Sequence, residues 1–318
     1  MALPTGVDHA AFAELVAPHR AAMHALCYRM MGSLADADDA LQEALLGAWK
    51  GIAQFEGRAT LRTWLYRIAT NACLQLIARR PRRELATERG PASTGVDVEP
   101  FVDEPVWLEP YPDDPQALLE QRESLELAFV AALQHLPANQ RAVLILRDVL
   151  ELSAAEVAEL LDTSVASITS ALQRARQTVA TRVPPRSQAA ELRALGDDGQ
   201  RALVDGFIGA WERQDLDGLL ALLTRDARFS MPPIPTWFDG THAIGRFFRE
   251  RVFATPWRLR PGHANGQLAF LCYQGPDFRL GAFNVVTLRG GQIAEMTGFL
   301  DPQVYDRLVL PRGPLQEA

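Results

Sequence analysis

Lysine is almost missing from this chain: Lys50 is the one example, against 31 arginines. So uniform a bias reads as a coding preference for arginine, not as selection for forked contacts at every site. Cysteine is scarce as well. Cys27, Cys73 and Cys272 are odd in number and far apart, which excludes a disulfide framework. The nearest pairing of metal-ligand types, His24 with Cys27, falls short of the clustered ligands that a zinc site needs. The cysteines read as small buried apolar residues, and no metal or cofactor is expected. No apolar run approaches the roughly 18 residues needed to cross a bilayer. The stretch Met1–Asp8 has neither a basic start nor an apolar core, so it is not a secretory signal. The expectation is a soluble, cytoplasmic protein without a membrane partner. With 48% apolar and 22% charged residues over 318 positions, a disordered or fibrous chain is excluded, and the length suggests roughly two domains of about 150 residues.

Positive charge is also lacking overall. A net charge of −7 is wrong for a protein that holds DNA unaided. The distribution is uneven, however. Residues 1–83 carry ten basic against seven acidic side chains, and within them residues 56–83 carry seven arginines against one glutamate. Residues 84–117 carry one basic against nine acidic residues. A short basic stretch is followed by an acidic one.

Residues 8–80 show apolar side chains at three- and four-residue spacing, the signature of helices. Gly32-Ser33 breaks a first helical segment. A second runs from about Ala35 to Ile52, with Ala40, Leu41, Ala44, Leu45, Ala48 and Trp49 inward, and a third from about Leu61 to Arg79. Residues 84–116 hold six prolines among the acidic residues, cannot form a core of their own and read as a linker. Within it Trp107 and Tyr111 have no use in a free tether, so this segment is expected to dock on a folded surface. Helices resume over residues 117–184. After a helix from about Gly196 to Arg213 the pattern becomes strand-like at 227–231, 268–273, 282–288 and 292–299, with a hairpin signal at Gly290-Gly291. Residues 196–311 are therefore a separate α+β domain.

The stretch from Glu151 to Ile168 has helix-turn-helix form. Ser153 and Glu156 make a capping box, Asp162-Thr163-Ser164 the turn, and Val165, Ile168, Leu172 and Ala175 the inner face of the following helix. Ser167, Thr169, Ser170, Gln173, Arg174, Arg176 and Gln177 are the candidates for base edges and phosphates in a major groove. A second signal interleaves aromatics with arginine: Phe55, Arg58, Arg62, Trp64, Tyr66, Arg67 and Asn71. Trp64 and Tyr66 can stack on unpaired bases while the arginines meet the backbone.

At these residues the chain resembles an extracytoplasmic-function sigma factor of the sigma-70 family. The helix with Asp36, Asp39, Gln42, Glu43 and then Trp49 is similar to the one with which that family engages core RNA polymerase. Phe55-x-Gly57 through Asn71 resembles the segment that melts the promoter and reads its −10 element. Leu136-Pro137-x-x-x-Arg141 with the helix-turn-helix resembles the −35 reader. Thr169 and Ala171 stand where the family often has basic residues. The resemblance implies core RNA polymerase and promoter DNA as partners, and the polymerase would supply the grip that the net charge denies.

Residues 196–311 resemble the SnoaL-like (ketosteroid-isomerase-like) cone, and Trp107-Leu108-Glu109-Pro110 a linker motif of sigma factors with such a tail. The implied architecture is two all-α sigma domains, 8–83 and 117–184, joined by the 84–116 linker and followed by an α+β cone. That domain would regulate through intramolecular contact with the sigma domains or the linker. An unknown small ligand is a further candidate partner. Asp239, His242, His263 and Asp301 are conceivable acid–base residues, but no enzymatic activity is expected. Two competing readings are a polymerase-independent regulator with a ligand-binding tail and an enzyme with a helical appendage.

Overall fold

A computed structural model describes residues 8–57, 59–102, 106–113 and 125–311. The chain divides into two compact units. One comprises residues 1–83 with 114–183, the other 84–113 with 184–318.

The first unit is helical. Helices α1 (His9–Val16), α2 (Arg20–Met31), α3 (Leu34–Gly51) and α4 (Leu61–Ile77) precede α5 (Leu127–Gln134), α6 (Ala138–Leu144), α7 (Ala154–Leu160) and α8 (Val165–Ala180). Side-chain oxygens fix most starts: Asp8, Ser33, Thr60, Ser153 and Ser164 each accept a backbone N–H three residues on, satisfying donors that a helix leaves open. The break read at Gly32-Ser33 is a left-handed glycine ending α2 (φ 72°) and a serine cap starting α3. Ala37, Ala40, Ala44 and Ala48 are fully buried, so α3 approaches its neighbours closely.

In the second unit, α9 (Gln188–Glu212) is kinked where Gly196 takes a non-helical conformation. It is followed by α10 (Leu216–Ala221), β1 (Leu223–Met231), β2 (Ile234–Asp239), α11 (Gly240–Glu250), β3 (Trp257–Ala264), β4 (Gln267–Gln274), β5 (Arg279–Arg289), β6 (Gln292–Phe299) and α12 (Pro302–Arg307). The six strands form one sheet in the order β2-β1-β6-β5-β4-β3. The β1–β6 pair is parallel and the others antiparallel. Strands β2 and β3 were not read from the sequence. Phe207, Trp211, Phe229, Phe238, Phe247, Phe248 and Phe270 pack as the core, with ring centroids as close as 4.3 Å.

The acidic segment belongs to this second unit. It lies along β2: Ser93 N–H donates to the Trp237 carbonyl, Glu99 N–H to Thr236 Oγ1 and Val102 N–H to the Pro233 carbonyl, while Trp237 Nε1 donates to the Gly90 carbonyl. At its far end Tyr111 and Asn265 exchange hydrogen bonds. Trp107 is buried with Ala86 and Val106 against Val102 and Trp237, and the Arg89 guanidinium lies over its ring at 5.2 Å. The segment has no core of its own and completes one that the sheet begins.

Candidate polymerase and promoter interfaces

Helix α3 presents Asp39, Gln42, Glu43, Leu46 and Trp49 to solvent. Asp36 does not join them. It is 2% exposed, accepts from Arg83 Nε at 3.0 Å, and pairs also with Arg83 Nη2 and Arg80 Nη1. A side chain so enclosed cannot touch a partner, so Asp36 holds α3 to the segment after α4. Asp39 shares Arg80 at 2.7 Å but stays exposed. Trp49, expected inward, lies at the surface with its ring edge-on to Phe12 at 5.2 Å. Leu46, 46% exposed, was missed. Its signal was an apolar residue just off the inward stripe.

On α4, Trp64, Arg67 and Asn71 are spaced three and four apart and share one face. Arg67 and Asn71 are exposed, and Trp64 is half-buried against Phe55 at 5.1 Å. Its ring leaves Gly51 no room for a side chain without contact at 3.3 Å. Tyr66 is a correction. It is 1% exposed and its hydroxyl accepts from Arg62 Nε at 3.1 Å, so it cannot stack on a base. Arg62 lies over that ring at 5.4 Å, off the Trp64 face. Arg58 lies outside the described residues. A cleft of about 250 Å³ separates Thr60, Thr63, Trp64 and Arg67 from Glu156, Glu159 and Leu160.

The capping box of α7 is formed by Ser153 and Glu156 at 2.7 and 3.2 Å, and these bonds hold the Glu156 carboxyl below its usual pKa. On α8, Ile168, Leu172 and Ala175 are buried as expected, but Val165 is 48% exposed because it stands in the first turn, short of the core. Ser167, Thr169, Ser170, Gln173, Arg174, Arg176 and Gln177 are all exposed. Ser170, Gln173, Arg174 and Gln177 form one stripe. Thr169 Oγ1 donates back to the Val165 carbonyl at 3.0 Å and Ser167 shares its hydroxyl with Ser164 at 2.9 Å. Arg176 is committed to Asp148, which raises its pKa.

In the second unit Asp239, His242 and His263 are exposed, and Asp301 caps α12 through the Gln303 N–H at 2.8 Å. Asp239 ends β2 and His263 lies in β3, the two edge strands of the sheet, so the structure does not bring these four together. Cys27 and Cys73 are both buried, and the neighbouring Cys27 thiol together with burial raises the Cys73 pKa. Among the described residues no group of three potential ligands could hold a metal ion, and no helix is long and apolar enough to cross a membrane.

Three families match along the chain: Sigma-70 region 2 over residues 15–83, Sigma-70 region 4 over 126–179, and the SnoaL-like domain over 204–296. The ECF RNA polymerase sigma factor SigG of Mycobacterium tuberculosis is 41% identical over 312 residues, covering 94% of this chain and 84% of that protein. SigW of Bacillus subtilis, also an ECF RNA polymerase sigma factor, is 30% identical over 173 residues, which are 54% of this chain and 88% of SigW. The crystal structure of the extracytoplasmic-function sigma factor SigJ of M. tuberculosis shares the fold, with a TM-score of 0.60 at 22% identity over 94% of this chain and 99% of that one. The two helical groups and the sheet domain thus fall in the order that a near-full-length relative has. The chain belongs to the ECF RNA polymerase sigma factors, with sigma-70 regions 2 and 4 and a fused SnoaL-like domain.

Proposed function

We propose that residues 8–83 engage core RNA polymerase and the −10 element, that residues 117–184 read the −35 element, and that residues 196–311 regulate both through the 84–116 linker. Polymerase docks on the α3 face of Asp39, Gln42, Glu43, Leu46 and Trp49, where two exposed apolar groups are ringed by polar ones, the anatomy of a binding patch. Trp64, Arg67 and Asn71, with Phe55 behind Trp64, receive unpaired bases and backbone at the −10 element. Ser170, Gln173, Arg174 and Gln177 meet the −35 major groove. The protein works in the cytoplasm, beside the polymerase and the promoter.

The observation that carries the regulatory reading is the burial of Trp107 and the four hydrogen bonds between residues 90–102 and residues 233–237, two of them backbone to backbone. A linker held over so many points is not free to follow another path. The SnoaL-like domain therefore acts as a restraint, and it does so by protein contact, through the surface that buries Trp107 and bonds the segment. Run-off transcription with bacterial core polymerase tests the whole reading, comparing the full chain with a version ending near Pro185 and with Trp107→Ala. Transcripts that require added protein and rise in both variants support it. Transcripts that fall in both variants reverse the sign, and no transcript from any of the three removes the interface assignments.

A further inference from the structure

Two carbonyls at the carboxyl end of α2 are satisfied from the far side of the first unit. Gln134, the last residue of α5, donates Nε2 to the Arg29 carbonyl at 3.3 Å. Arg141 on α6 donates Nη1 to the Met30 carbonyl and, at 2.7 Å, to Gln134 Oε1. Its Nη2 reaches the Gln134 and Leu136 carbonyls, each at 3.2 Å. Gln134 is 2% and Arg141 5% exposed. These last-turn carbonyls have no partner within a helix and carry the negative end of its dipole, so a guanidinium and an amide from the region 4 half complete a helix of the region 2 half.

The closure has a consequence for the −10 face. With the two halves joined in this way, Thr63, Trp64 and Arg67 look across a cleft of about 250 Å³ at the acidic side chains Glu156 and Glu159. That space is below the roughly 300 Å³ at which sites for small organic ligands begin, and it is too tight for a strand of nucleotides. The bond set is suited to release. Among the described residues every hydrogen-bond acceptor of Arg141 is neutral and its buried Nε has no hydrogen bond, while burial lowers its pKa to about 10. A desolvated cation without a carboxylate recovers little of its hydration energy.

We infer that Gln134 and Arg141 form a buried latch on the carboxyl end of α2 that holds regions 2 and 4 closed across the Trp64 flank of the −10 face, so that nucleic acid reaches Trp64 only when the latch opens. They are positioning residues, and the inference rests on the proposed −10 role of α4.

The test uses the full chain carrying Thr63→Cys and Glu159→Cys, joined by a cleavable bismaleimide; the three natural cysteines are buried and do not compete. Crosslinked protein should lose transcription with core polymerase and regain it on cleavage. Crosslinked protein that transcribes as before overturns the closed state as an inactive one. Adding Gln134→Leu or Arg141→Lys should slow crosslinking about tenfold, the shift expected from losing a charge-assisted hydrogen bond. An unchanged rate in both, with an unchanged circular dichroism spectrum, overturns the latch. Crosslinking involves no DNA, so a failure of the −10 assignment is separable. If Trp64→Ala opens promoters normally while the latch variants crosslink slowly, the latch stands and the assignment falls.

Discussion

Arg176 and Asp148 form a forked pair, Nε to Oδ2 at 2.8 Å and Nη2 to Oδ1 at 2.6 Å. The pair ties the exposed flank of α8 to the helical turn Ile145–Val149 that follows α6, and it divides two arginines that look equivalent in the sequence. Arg174 lies on the stripe with Ser170, Gln173 and Gln177, whereas Arg176 is off it and already engaged. Arg174→Ala should therefore weaken holoenzyme binding to promoter DNA and reduce the salt slope by about one. Arg176→Ala should leave the slope unchanged and cost the helix-turn-helix less than about 1 kcal/mol, because an exposed ion pair is worth little. Binding measured over a salt series separates the two, and equal loss of slope in both variants would contradict the division.

Asp36 and Leu46 should exchange the roles that their residue types suggest. Asp36 is buried between Arg80 and Arg83, and removing it takes the shared carboxylate away from two guanidinium groups after α4. Asp36→Ala is expected to destabilise the first unit by about 3 kcal/mol or more, read as a fall in the denaturation midpoint. Leu46→Ala should leave that midpoint in place and weaken core polymerase binding. A stable Asp36→Ala protein with weakened polymerase binding would put Asp36 back in the interface.

The helices of the first unit were legible because apolar spacing, serine and threonine caps and the Gly32 break all act within a few residues. The hairpin at Gly290-Gly291 was legible for the same reason, since both glycines take positive φ. Strands β2 and β3 were not, because Pro235 and Pro261 interrupt them and both lie at sheet edges, where proline is tolerated and alternation weakens. The docking of residues 84–113 showed in one respect: a tryptophan in an acidic tether demands a surface. Which surface was invisible, since Trp107 meets Val102 and Trp237 through tertiary contact alone. At the interfaces, residue type pointed to Asp36, Tyr66 and Arg176, and only burial and pairing could remove them. Leu46 was hidden by the converse: nothing in its identity says that an apolar residue faces water.

His24 gives the first unit a dependence on pH. Burial lowers its pKa below 6.5, Arg20 acts in the same direction, and Asp38, 3.2 Å away, offsets this in part. Below pH 6.5 the unfolded chain takes up a proton that the folded one resists, so stability falls as the pH drops through that window and levels off once the folded pKa is passed. Denaturant midpoints at about pH 7.5 and about pH 5.5 should differ more in the natural protein than in His24→Gln. An equal difference in the two would assign the pH response to other groups.

Trp107 decides whether the acidic segment is a strap or a tether. It contributes a large apolar side chain to the small cluster of Ala86, Val102, Val106 and Trp237, separate from the aromatic core of the sheet domain. Trp107→Ala should therefore free residues 84–113 without unfolding that domain. The loss is about 3 kcal/mol, the lower end for a tryptophan, because one flank of the ring faces Arg89 and not the deep interior. Trypsin should then cut at Arg89 while the sheet domain survives as a protected fragment. Trp237→Phe, which removes the hydrogen bond to the Gly90 carbonyl at 2.9 Å but keeps a ring in the cluster, should give a smaller effect in the same direction. If the domain acts through this strap, transcription in the two variants should rise in the order of their protease sensitivity. Release of the segment without any change in transcription would separate the docking from the control and move the regulatory contact elsewhere on the SnoaL-like domain.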